Sequence, residues 1–242
     1  MAEIETHQMV EFAPHFRSCT IRPDGTDSRM RAALGLRFQI YCEECAFLPA
    51  SDYPDKLESD GFDAGAAHFG AVNLTDQLVG YVRLVRPNAQ AAFPFQQHCA
   101  QLHAGVALPE ASLAGEISRL MVRNDYRRRR GDILAGVTTG DGAIAPDHER
   151  RDNSPQILLS LYRSMYQFSV ANGVRYWYAA MERSLARALT RMNFTFVQIG
   201  PQTDYYGPVA PYVADLRELE ARIGECNPPL LAWMQGVDVR GN

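Results

Sequence analysis

Lysine is almost missing from this chain. Lys56 is the one lysine among 24 basic residues, and the other 23 are arginine. A GC-rich genome explains that bias without any appeal to function, so an arginine matters here by its position and not by its type. The scarcity limits covalent chemistry: a Schiff base has only Lys56 to form on, and Lys56 lies in a polar loop. Long apolar runs are missing too. None approaches the ~20 residues that cross a bilayer. The acidic start Met1-Ala2-Glu3-Ile4-Glu5 lacks the apolar core of a secretory signal. Cysteines number five, an odd count in 242 residues, which points to reduced thiols and a cytoplasmic home rather than a disulfide framework. Cys42-Glu43-Glu44-Cys45 has no second pair to complete a zinc site and no strand before it to make a redox motif, so it is read as structural. Positive charge is not in excess: the net charge is −4, and the basic residues are not interleaved with aromatics. Both facts exclude a general nucleic-acid binder. No repeat and no linker divides the chain.

What is present reads as one α/β domain over 1–242. The apolar fraction of 46% suits a sizeable core. A strand is expected from Phe16 to Ile21, ending at Pro23-Asp24-Gly25. Asp27 or Ser28 can cap a helix reaching about Cys45, with Met30, Leu34 and Phe38 at helical spacing. Arg37 and Tyr41, four apart, share a face of it. The segments 66–74 and 78–85 read as a hairpin, 88–111 as irregular or weakly helical, and 131–155 as a mobile insertion. Ser154-Pro155 opens a helix to about Asn172. After it come a strand from 174 to 181, a helix from 184 to 192 ended by Asn193, and strands at 194–199 and 205–213. Amphipathic segments at 214–224 and 229–236 close the chain. The sheet this order predicts is mixed and mostly antiparallel, flanked by helices.

The chain is organised around 115–131, from Gly115-Glu116-Ile117-Ser118-Arg119 to Arg127-Arg128-Arg129-Arg130-Gly131. Period-two spacing makes 115–122 a strand with Glu116 and Ser118 on one face and Ile117 and Arg119 on the other. A carboxylate and a guanidinium on one apolar strand both need partners. The Arg/Gly turn that follows is suited to offering backbone N–H groups and positive charge to a phosphate. Arg83 is likewise embedded in a strand, Val79-Gly80-Tyr81-Val82-Arg83-Leu84. Glu58-x-Asp60-x-x-Asp63 puts three carboxylates into six residues. It reads either as a solvated loop or as a set that binds a cation or amine, or that pairs with inward arginines. His68, inside a strand, reads as a satisfied core histidine. Tyr176, Trp177, Tyr178, Phe194 and Phe196 read mainly as core, with lining of an acyl pocket as the other reading.

These pieces carry a resemblance. Arg37-x-x-x-Tyr41 with Phe47, Glu58-x-Asp60-x-x-Asp63, Arg83 in its strand and Glu116-Ile117-Ser118-Arg119 occur in an order that resembles the acyl-homoserine lactone synthases. The match to the long-chain N-acyl amino acid synthases is closer. Met181-Glu182, Gly200-Pro201, Tyr206-Gly207 and Pro211-Tyr212 resemble the acyltransferase group associated with the PEP-CTERM/exosortase system. The resemblance spans about residues 30–213. It implies a GNAT-like (acyl-CoA N-acyltransferase) fold and direct attack of an acceptor amine on an acyl thioester, with no tightly bound cofactor and no metal. It implies Glu116 as the amine-facing carboxylate with Arg119 beside it; a buried ion pair of Glu116 with Arg83 or Arg119 is the structural alternative. Arg37, Tyr41, Phe47, Glu58, Asp60, Asp63 and Arg83 would shape the acceptor site. Leu120, Val122, Arg123, Arg127, Arg128, Arg129, Arg130 and Gly131 would meet the acyl donor. The Arg/Gln-x-x-Gly-x-Gly/Ala turn of enzymes using coenzyme A loses its last small residue in Arg128-Arg129-Arg130-Gly131-Asp132-Ile133. That favours an acyl carrier protein with its phosphopantetheine arm over coenzyme A. Phe47 stands where the lactone synthases carry tryptophan, which favours an amino acid acceptor over S-adenosylmethionine. The expected activity is therefore N-acyl transfer from acyl carrier protein to a small amine. Membrane contact would be peripheral and through a lipid product only. A lactone synthase and a catalytically silent acyl-binding relative are the alternatives.

Overall fold

A computed structural model describes residues 11–87, 92–127 and 154–236. In chain order the elements are β1 (Phe16–Ile21), α1 (Ser28–Phe38), β2 (Ala66–Asn73), β3 (Leu78–Val85), α2 (Pro94–His98), β4 (Ala114–Val122) and α3 (Ser154–Ala171). They continue with β5 (Tyr176–Met181), α4 (Arg183–Arg191), β6 (Val197–Gln198), β7 (Thr203–Asp204), β8 (Pro208–Asp215), α5 (Leu216–Cys226) and α6 (Pro228–Gln235). The strand order is β1-β2-β3-β4-β5-β8-β6, with β7 beside β8. Every pairing is antiparallel except β4 with β5. That one parallel pair requires a crossover, and the segment holding α3 supplies it. The expected α/β architecture with a mostly antiparallel sheet is what forms.

Helices cover both faces. On one, α3 lays Ile157, Leu158, Leu161 and Met165 against Phe69, Val82, Leu84 and Val122. The fit is close at Gly80, where a β-carbon would stand 2.5 Å from the Ile157 side chain. On the other face α1 packs Met30, Ala33 and Leu36 over Ile21, Tyr81 and Met121. Asp27 caps α1 by accepting the Arg29 N–H at 3.0 Å. After Phe38 the helix widens into a π-turn over Gln39–Glu44, closed where the Cys45 N–H donates to the Ile40 carbonyl at 3.0 Å. Such turns often lie at functional sites.

Some expectations change. The strand read over 205–213 begins only at Pro208 and runs to Asp215: Tyr206 at φ +54 and Gly207 at φ +104 reverse the chain between β7, which precedes the expected span, and β8. Of the strand read over 194–199, only Val197–Gln198 pairs. Phe194, Phe196 and Ile199 anchor that segment by burial instead. The expected insertion lies outside the described residues from 131 to 153. The left-handed turn at Asn193 is present, at φ +67.

Candidate active site

The site begins with a break in β4. Simple alternation puts Arg119 on the α3 face with Ile117. In the structure Arg119 takes φ +55, and the pairing slips between Tyr81 opposite Met121 and Arg83 opposite Ser118. The extra residue of this bulge shifts the phase of the strand. Ser118 and Arg119 both turn to the α1 face, Leu120 and Val122 join the core under α3, and Met121 joins the cluster under α1. A left-handed arginine costs about 1–3 kcal/mol. The bonds that Arg119 then makes offset that cost.

Those bonds belong to a buried network of three guanidinium groups and three carboxylates. Arg37 Nε donates to Glu58 at 2.5 Å, and its Nη1 to Asp63 at 2.6 Å. Arg83 Nη1 donates to Asp60 and Asp63, each at 2.6 Å, while Nη2 reaches Asp60 at 2.7 Å and Ser118 Oγ at 3.3 Å. Arg119 grips Glu58 through Nε at 3.2 Å and Nη2 at 3.1 Å, and Asp60 through Nη2 at 3.0 Å. Local structure aims these groups. The Glu58 N–H donates to the Leu34 carbonyl, tying the acidic loop to α1. The Phe62 N–H donates to Asp60 at 2.9 Å, and the Asp60 N–H to Asp63 at 2.7 Å. Burial pushes all three carboxyls up, but the arginines outweigh it: Glu58 and Asp63 are held below their ordinary values, and Asp60 down at about 2. The Glu58, Asp60 and Asp63 loop is therefore the partner of inward arginines, and the solvated-loop reading is set aside.

Glu116 stands apart. It is 2% exposed, and the ion pair with Arg83 or Arg119 that was its alternative does not form. Its one hydrogen-bond donor among the described residues is the Phe95 N–H, at 2.8 Å, in the first turn of α2. Burial pushes this carboxyl up and the Phe95 N–H pulls it back only in part, leaving it at about 8.

Glu116 and Arg119 line a common cleft. β4 and β5 pair only from Ala114 with Tyr176 to Ile117 with Ala179. Beyond that the cleft opens between Ser118–Met121 and Ala179–Met181, with Leu185 of α4 and Tyr162 of α3 in its walls. The cavity between the walls is narrow, ≈ 60 Å³, below the size range of sites that enclose a whole small molecule. Tyr41, Phe47 and Tyr206 form an aromatic wall, with ring centres 5.4 to 5.8 Å apart. The Arg119 guanidinium lies 4.7 Å from the Tyr41 ring centre and 5.8 Å from that of Tyr206.

The structure thus brings together Arg37, Tyr41, Phe47, Glu58, Asp60, Asp63, Arg83, Glu116, Arg119 and Leu120. It separates the other described donor-side residues from them. Val122 is in the core under α3. Arg123 pairs with Asp125 at 2.6 Å. Arg127 is not on a docking surface: it is 6% exposed and donates to Glu44. Arg128, Arg129, Arg130 and Gly131 lie outside the described residues. His68 is a satisfied core histidine, between the Asp63 carbonyl at 2.9 Å and the Tyr81 hydroxyl at 2.7 Å. Trp177 and Phe194 are fully buried in the core, so the aromatic set packs the sheet and does not line the cleft. Sequence reasoning missed three features. The Phe95 N–H is a backbone group and leaves no side-chain signal. Tyr205 was visible only as a strand-forming residue, and Tyr206 only as that and as part of the resembling pair Tyr206-Gly207, with no place in the site; the following Gly207 was the available sign of a turn.

Residues 36–136 match the model of the acetyltransferase (GNAT) domain. No curated protein matches by sequence. Among solved structures, TofI, crystallised in a ternary complex with an inhibitor and MTA, superposes with a TM-score of 0.61 at 14% identity, over 92% of this chain and 97% of that one. BjaI, a CoA-dependent acyl-homoserine lactone synthase solved with SAM and isopentyl-CoA, gives 0.59 at 17% identity, over 87% and 88%. FeeM, an N-acyl amino acid synthase from uncultured soil microbes, gives 0.51 at 14%, over 86% and 94%. The chain has the GNAT-like acyltransferase fold.

Proposed function

We propose that this protein is an N-acyltransferase that moves a fatty acyl group from an acyl carrier protein thioester to the amine of a small amino acid. One observation carries the reading: a buried carboxyl, Glu116, sits in the wall of the cleft without a guanidinium partner. A base poised near 8 is matched to deprotonating an ammonium near neutral pH. In the reaction the acceptor gives a proton to the Glu116 carboxylate. Its nitrogen then bonds to the thioester carbonyl carbon. The tetrahedral oxyanion collapses, the carbon–sulfur bond breaks, the departing thiolate takes the proton from Glu116, and the freed Glu116 carboxylate takes the second proton from the nitrogen and passes it to solvent. The products are an amide and a free thiol, and no side chain becomes acylated. Backbone N–H groups of β4 near Leu120–Val122, past the point where β4 leaves β5, are the candidates for oxyanion donors. Arg119 presents positive charge to the cleft beside Glu116, which suits an acceptor carrying a carboxylate. The lactone-synthase alternative needs a sulfonium acceptor. The aromatic wall that would suit such a cation already faces the Arg119 guanidinium.

The test is mass spectrometry of lipid extracts from cells expressing the wild type and Glu116→Gln, with both proteins shown folded by thermal melts. A new N-acyl amino acid made by the wild type and lost in the variant is the expected result. An N-acyl homoserine lactone would instead establish the lactone-synthase reading. No new lipid, with purified wild type also inactive on acyl carrier protein and amino acids, would sink both and leave the silent relative.

A further inference from the structure

Two residues of the cleft wall keep a hydrogen-bond donor that no protein group accepts. The first is Arg119. Its Nε and Nη2 are engaged by Glu58 and Asp60, while its Nη1 donates to nothing among the described residues. The second is Tyr205, which lines the cleft with Glu116 and Arg119. Its hydroxyl makes no hydrogen bond among the described residues. Glu116 does not take it, since the donor to Glu116 is the Phe95 N–H. A tyrosine hydroxyl withdrawn from water normally finds a partner. This one is held in place all the same. The His98 ring lies flat against the Tyr205 ring, with 3.8 Å between centres and 9° between planes. The Tyr206 ring packs on it at 4.6 Å, and the Tyr205 N–H donates to the Gly207 carbonyl at 2.9 Å. His98 belongs to α2, the helix whose Phe95 N–H holds Glu116. One short helix thus sets both the base and the tyrosine. Burial pushes the Tyr205 hydroxyl up and the Arg119 charge draws it back only in part, so it stays a neutral O–H, able to donate, at any working pH.

Position indicates what the two donors are for. Tyr206 packs against both: its ring lies 4.6 Å from that of Tyr205 and 5.8 Å from the Arg119 guanidinium. Glu116, the proposed base, lines the same cleft. A guanidinium N–H and a neutral O–H beside a base for an amine match the two oxygens of a carboxylate carried on the same small molecule as that amine. A carboxamide replaces one of those oxygens with a donor, and a simple amine offers neither. We infer that Tyr205 binds the carboxylate of the acceptor together with Arg119, and so selects free α-amino acids over their amides and over simple amines. This rests on the acyltransferase reading and names its acceptor class.

The experiment assays full-length wild type and Tyr205→Phe with octanoyl-pantetheine as donor and, one at a time, the standard amino acids and their primary amides as acceptors. Thiol release gives kcat and KM. Calorimetric titration of the same acceptors gives Kd without turnover. The expected result is a wild type that prefers the acid to its amide. Tyr205→Phe should raise KM and Kd for the acid about tenfold or more, lower kcat by less than it raises KM, and move the constants for the amide far less. Equal constants for the acid in the two proteins would overturn the carboxylate contact. So would a wild type indifferent to acid and amide, or an equal loss for both acceptors in the variant. The two readouts separate the readings. Acylation of acids and amides alike keeps the acyltransferase and discards the contact. Amino acid binding that depends on the hydroxyl, without any turnover, discards the acyltransferase and keeps the contact. Neither binding nor turnover discards both.

Discussion

Glu58 and Glu116 are the same residue type and almost equally buried, 1% and 2% exposed, yet the protein holds them in opposite states. Glu58 faces two guanidinium groups, and their attraction outweighs the cost of burial, so it stays ionised. Glu116 has a backbone N–H and no cation in contact, so burial dominates and its carboxyl rises to about 8. The difference teaches that burial sets the sign of the cost and the neighbouring arginines decide the outcome. One glutamate is scaffold because its charge is fixed. The other is available for proton transfer because its charge is not.

The comparison breaks hardest at Arg37. Arg37→Met leaves Glu58 and Asp63 short of a partner and should cost about 3–5 kcal/mol in urea unfolding. Glu116→Gln, isosteric with the neutral acid, should stabilise the protein at pH 7 rather than destabilise it, while lowering turnover by ~10²-fold or more. Equal destabilisation by the two substitutions would mean that Glu116 is part of the scaffold.

Titration sharpens the same contrast. Asp60 is depressed, so its contribution to stability is present above its unfolded value and disappears as pH falls toward about 2. Glu116 is raised, so its contribution is full below its unfolded value, in mild acid, and is lost as pH rises to about 8. Wild type should therefore lose stability relative to Glu116→Gln between about pH 5 and 9, by chemical unfolding at each pH, whereas kcat/KM should climb over the upper part of that range to a plateau above about 8. A flat profile for both would remove Glu116 from the reaction.

Much of this is legible in the order of residues alone. The spacing Glu58-x-Asp60-x-x-Asp63 and the arginines embedded in 79–84 and 116–119 announce charges that need partners, and they are one another's partners. The order of strands and helices follows from periodicity. What stays hidden has physical reasons. The bulge at Arg119 needs a left-handed residue, and nothing marks an arginine for that role when no glycine is there. The pairing of Glu116 with a backbone N–H rather than an arginine depends on where α2 starts, in a segment without clear periodicity. Arg127 reads as one more surface cation of an arginine run, and only the fold reveals that its place is beside Glu44.

Tyr206 gives the finest test, because two small effects oppose each other there. Its φ of +54 is strained for a residue with a side chain, while its ring packs on Tyr41 and Phe47 and lies near the Arg119 guanidinium. Tyr206→Gly relieves strain worth ~1–2 kcal/mol and gives up a ring contact worth ~1 kcal/mol or more, so its melting temperature should move little. The ring also holds Arg119 against the wall of the cleft. Its loss should loosen the guanidinium and raise KM for the acceptor several-fold, with KM for the acyl donor unchanged. Tyr206→Phe keeps the ring and should behave as wild type in both constants. If glycine and phenylalanine were indistinguishable in acceptor KM, the ring would be packing alone, and Arg119 would owe its aim entirely to Glu58 and Asp60.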